Sequence, residues 1–66
     1  MKNWKLDLFN FRNSLTLDQL EISTIVERHL GQFDKLSERE LVDSLKRNLS
    51  PYSYDNDVKK LLITIS

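Results

Sequence analysis

Apolar residues in the middle of the chain recur at steps of three and four. Ile22, Ile25, Val26 and Leu30 form one stripe, with Phe33 as its candidate extension, and Leu41, Val42, Leu45 and Leu49 form another. Such steps return to one side of an α-helix, so both stretches read as amphipathic helices. Each is preceded by the same signature, Leu15-Thr16-Leu17-Asp18-Gln19-Leu20 and Leu36-Ser37-Glu38-Arg39-Glu40-Leu41. The Thr16 and Ser37 hydroxyls can accept a backbone N–H three residues on, while Gln19 and Glu40 reach back to the cap's own N–H. Leu15 can pack on Leu20 and Leu36 on Leu41. A capping box with a hydrophobic staple therefore starts each helix, which predicts helices over 17–30 and 38–49.

The stop signals agree. Gly31, the single glycine, stands where a helix end takes a left-handed residue. Lys46 and Arg47 fall in the last turn of the second helix, where cations suit the helix dipole, and Pro51 forbids continuation. After a loop with Ser53, Asp55 or Asp57 as candidate caps, Val58, Leu61, Leu62 and Ile65 predict a short C-terminal helix. The β-branched tail Ile63-Thr64-Ile65 keeps a strand open there. At the other end, Trp4, Leu8, Phe11 and Leu15 fit a helical stripe, while Trp4, Leu6 and Leu8 fit strand alternation. Helix is preferred because the chain offers few strand partners. The predicted fold is all-α: one domain over 1–66, a compact bundle of three to four short helices. Its core is expected to contain Trp4, Leu8, Phe11, Ile22, Ile25, Val26, Leu30, Leu41, Leu45, Leu49, Leu61 and Leu62.

Size sharpens this picture. At 66 residues, a chain buries only about 60% of its unfolded surface, so its core is marginal. With no cysteine and one histidine, disulfide and metal staples are not expected, which leaves self-association or docking as sources of added stability. The cysteine-free composition fits a reducing, cytoplasmic compartment. No apolar run approaches the roughly 20 residues of a membrane span, and no secretory signal is recognisable. Met1 suggests a native start. The end at Ser66, inside an apolar run, suggests a trimmed or very short chain. The absence of alanine argues against design and suits an AT-rich genome.

The net charge is zero but uneven: residues 1–17 sum to +2, 18–43 to −4 and 44–66 to +2. Such faces are usually solvated, but they also allow basic and acidic surfaces to pair between copies or with a partner.

No catalytic or metal site is legible. His29 could serve as a pH switch or general base; the simpler expectation is a histidine at the core's edge with one ring nitrogen in water. No serine, cysteine or second histidine is placed to complete a nucleophilic arrangement. Glu38 and Glu40, two apart on a helix, do not face each other. Asp55-Asn56-Asp57 opens like a calcium loop, but the sixth place is not glycine and the twelfth is Ser66, so calcium is not expected. Phe33-Asp34-Lys35-Leu36-Ser37-Glu38-Arg39-Glu40-Leu41 resembles an EF-hand loop with its middle removed, Asp34 matching the first ligand and Glu40 the last. These stand six residues apart where the family needs about eleven. The resemblance implies a helix–loop–helix that has lost its metal.

A helix-turn-helix allows about three or four residues in its turn, and seven separate Leu30 from Glu38. Acids open the would-be recognition helix. Nucleic acid is therefore not an expected partner, although a nucleic-acid-associated helical domain is the third reading. Trp4, Phe9 and Phe11 among Lys2, Lys5 and Arg12 could lie on a membrane, but Asp7 interrupts that face and core packing is preferred.

If the first segment is helical, Leu6 and Phe9 point away from the Trp4–Phe11 stripe, and Leu17 lies off the Ile22–Leu30 stripe. These three are the candidate partner-binding residues. The expected function is a protein–protein interaction module, an oligomerisation or docking domain that could begin a larger protein. It needs no cofactor, and its partner is a protein or a second copy. The alternative is a small regulatory or inhibitory protein, of the kind phages and viruses make, that binds a larger enzyme. An enzyme is not expected.

Overall fold

Each segment with a helical stripe is a helix. The computed structural model describes residues 4–32 and 34–65, without the Trp4 side chain, so the expectations for Trp4 in the core and for Phe33 lie outside the described residues. The described residues form α1 (Trp4–Ser14), α2 (Leu20–Leu30), α3 (Glu38–Leu49) and α4 (Asn56–Ile65), and no strand. Short 3₁₀ turns at Leu17–Gln19 and Ser50–Tyr52 lead into α2 and out of α3. The strand alternatives at both ends fall away: Leu8 is buried, Phe11 and Leu15 are half-buried beside it, and Val58, Leu61 and Ile65 line the inner face of α4.

The start of α3 is as the sequence predicts. Ser37 Oγ accepts the Glu40 N–H at 3.2 Å, and Glu40 Oε1 takes the Ser37 N–H at 3.4 Å. The Thr16 start differs. The predicted box is in place, with Gln19 Oε1 taking the Thr16 N–H at 3.0 Å, but the Thr16 side chain makes no cap hydrogen bond. The Gln19 N–H closes instead on the Thr16 carbonyl at 3.0 Å. A bond three residues back tightens this first turn to 3₁₀, so the α-helix begins at Leu20. Leu20 is exposed, whereas Leu36 and Leu41 both join the core, so the staple with its inner residue buried is the one at α3.

Gly31 departs from expectation. Its φ of −74° and ψ of −8° are right-handed, and its N–H bonds to the Glu27 carbonyl at 3.1 Å. A methyl group there would meet only the Arg28 and Glu27 carbonyls, at 3.5 and 3.7 Å. The chain leaves α2 through ordinary turns, so no left-handed residue is required. At α4 the cap is Asp55, whose Oδ1 accepts the Asp57 and Val58 N–H groups at 2.8 and 3.2 Å.

The buried core is Leu8, Ile22, Val26, Leu41, Leu45, Leu49, Val58, Leu61 and Ile65. Phe11, Ile25, Leu30 and Leu62, expected inside, are only half-buried against it. On α4 the inward stripe runs Val58–Leu61–Ile65, which turns Leu62 to its flank. The radius of gyration is 10.8 Å, matching the roughly 11 Å of a fully compact chain of this length. No helix among the described residues is long and apolar enough to cross a membrane.

Candidate functional site

His29 is not at the core's edge. It is 2% exposed, on the inner face of α2. Its Nδ1 lies 2.7 Å from the Ile25 carbonyl, and its Nε2 lies 3.0 Å from Ser44 Oγ on α3. A carbonyl only accepts, so Nδ1 carries the proton, and in the neutral ring Nε2 takes the Ser44 hydroxyl hydrogen. The expectation of a solvated ring nitrogen is thus corrected, and Ser44 is the serine the fold sets beside this histidine. The 15-residue separation of the two hid the contact, since only the packing of α2 on α3 brings them together. Hydroxyl, imidazole and orienting carbonyl form the order of a nucleophile–base arrangement. Neither residue lines the best-formed clefts among the described residues, and Asn48 Nδ2 lies 3.3 Å from the same hydroxyl. The pair therefore reads as a polar tie between two helices.

A cleft of about 620 Å³ opens where the turns leading to α2 and α4 meet. Asp18, Glu21, Asp55 and Asp57 line it with Tyr52 and Tyr54, and among the described residues no lysine or arginine does. Gln19 holds its floor: its Nε2 donates to Asp55 Oδ2 at 2.9 Å and to Asp57 Oδ2 at 3.0 Å, while its Oε1 serves Thr16. The Gln19 amide is the main reason the Asp55 carboxyl sits below the usual carboxylate range. Burial opposes that shift, and the Val58 and Asp57 N–H groups assist it. Tyr52 donates its hydroxyl to Glu21 at 2.8 Å, and this bond above all pushes its phenol upward. The two tyrosine rings lie 6.5 Å apart and tilted by 44°. Nothing in the chain's periodicity marked this cleft, because its members come from loops and caps.

The three candidate partner-binding residues are all on the surface: Leu17 is 92% exposed, Leu6 55% and Phe9 50%. Leu6 and Phe9 occupy the side of α1 opposite Leu8. Asn13 follows Phe9 by one helical turn and lines a hollow with Leu15, Leu17 and Leu20. Leu20, also exposed, is an addition to the sequence-derived set; its role as a staple partner had suggested burial. Arg12 ties α1 to α2 beside this hollow, its Nε 2.9 Å from Glu27 Oε1. Asp34 and Glu40, the outer positions of the EF-hand-like segment, form no metal cluster, as no such group occurs among the described residues. The Glu40 carboxylate is occupied by Ser37.

The fold and surface define a small all-α bundle with an apolar outer stripe and an acidic cleft. No protein-family model matches the chain, and no curated protein or solved structure does.

Proposed function

We propose that this chain is a protein–protein interaction module that docks through Leu6 and Phe9 on the outer face of α1 and through Leu17 and Leu20 beyond its end. The observation that carries this reading is the exposure of these large apolar side chains, with Leu17 and Leu20 sharing a hollow with Asn13, one helical turn beyond Phe9. Single apolar residues on a surface need no explanation, whereas a run of them marks a contact. Each would contribute roughly 1.5–3 kcal/mol if buried. The cysteine-free chain is compatible with this activity in a reducing compartment such as the cytoplasm. The test is the double change Leu6→Ser with Phe9→Ser. Circular dichroism should be unchanged, while cross-linking in the native host should lose the protein partners that the unaltered chain captures. If the variant unfolds, these residues support the core; if it keeps the same partners, docking lies elsewhere.

A further inference from the structure

Given the docking role of Leu6, Phe9, Leu17 and Leu20, on which this rests, we propose that the partner they meet is a second copy of the chain, set antiparallel across a two-fold axis at Asn13. Leu6, Phe9 and Asn13 stand at steps of three and four along α1, so they share its outer line. Asn13 also lines the hollow that holds Leu17 and Leu20. Leu6 and Phe9 precede Asn13 by seven and four residues, and Leu17 and Leu20 follow it by four and seven. One amide thus divides an apolar surface into two pairs, all four side chains at least half exposed.

Such a surface complements itself. A two-fold axis presents the same patch from both partners, and at Asn13 it lays Leu6 and Phe9 of one copy over Leu20 and Leu17 of the other. The two Asn13 side chains then meet at the axis. Each offers a carbonyl that accepts and an NH2 that donates, so the pair can bond to itself. The Asn13 carbonyl takes Arg12 at 3.2 Å, and its second lone pair remains for the partner's amide. An amide enclosed by apolar residues fixes the register of the helices that meet there.

Charge selects the direction. Lys5, exposed and one turn before Phe9, marks the Leu6 end. Asp18 and Glu21, both exposed, mark the other end, on the cleft wall they share with Leu20. Arg12, which lines the hollow itself, is held by Glu27. Asp7 lies on the flank of α1 toward α4, in a hollow with Lys60. A parallel pair would set Lys5 against Lys5 and acids against acids. The antiparallel pair sets Lys5 of each copy toward the acids of the other, and opposite charges so placed favour that encounter.

Sedimentation velocity of the full chain, from low to high micromolar concentration, should show a monomer–dimer equilibrium. Leu6→Ser with Phe9→Ser should abolish the dimer and leave the circular dichroism unchanged. Lys5→Glu should weaken dimerisation by up to about fivefold, and adding Asp18→Lys should restore it. Because the chain has no cysteine, single introduced cysteines read the axis directly. Under mild oxidation Asn13→Cys should link to itself, since a disulfide needs Cα atoms within about 7 Å. Lys5→Cys should link poorly to itself and readily to Asp18→Cys when the two are mixed. A monomer at every concentration overturns the second copy as partner. The docking role of the stripe then stands if Leu6→Ser with Phe9→Ser still costs the chain its partners in the host, and falls if it does not. A dimer that survives that double change overturns the proposal, and so does Lys5→Cys linking to itself as fast as Asn13→Cys.

Discussion

Ser44 shows how one residue's meaning depends on what faces it. In sequence it is a serine on the flank of a helix; in the fold its hydroxyl lies at the Nε2 of a buried histidine. A buried acceptor left without a donor costs about 1–3 kcal/mol. Ser44→Ala removes that donor, and the better helix propensity of alanine returns about 0.5 kcal/mol. A net loss of about 1–2 kcal/mol is therefore expected in urea denaturation. Adding His29→Leu should recover part of it, because removing both partners is cheaper than stranding one. If Ser44→Ala is neutral and the second change only destabilises, the bond contributes nothing.

At the scale of elements, two identical-looking helix starts behave differently. Both boxes are in place, but the Ser37 side chain accepts a backbone N–H at the start of α3, whereas in the Thr16 box the hydrogen bond is made by the glutamine half. Ser37→Ala should cost about 1 kcal/mol, the usual loss for a cap hydroxyl. Thr16→Ala should cost distinctly less, since the Gln19 bond to its backbone survives. The two losses should add, the sites being separate. Chemical denaturation of the single and double variants measures this, and equal losses would mean that the Thr16 hydroxyl caps in solution. The reason for the difference is tertiary. Gln19 also clips Asp55 and Asp57 at the start of α4, and that second duty accompanies a tighter 3₁₀ turn.

For the whole molecule, the same clip makes stability depend on acid. Asp55 is held below the ordinary carboxylate range chiefly by the Gln19 amide, so folding favours its charged form. That contribution is complete above the unfolded value of about 3.9 and is lost as pH falls through the lowered folded value. Asp55→Asn keeps a capping oxygen but carries no titrating charge. Its stability should therefore fall less steeply than that of the unaltered chain when thermal unfolding is followed from pH 5 down through about 3.9. Parallel curves for the two proteins would place the acid sensitivity in other carboxylates.

How much was legible follows from the range of each interaction. The α3 boundaries, the helical character of both ends and the inward stripe of Leu41, Leu45 and Leu49 are written in local spacing, because a helix needs partners only three or four residues away. The outward position of Leu6, Phe9 and Leu17 was legible for the same reason. Other features depend on elements meeting. Ser44 faces His29 across 15 residues, and Gln19 reaches Asp55 across 36. The right-handed Gly31, the exposure of Leu20 and the acidic cleft likewise depend on how the turns lead the chain from one helix to the next. Local periodicity determined which faces are apolar; only the packing of helices decided which polar groups share a neighbourhood, since such contacts join residues that no short window of sequence contains together.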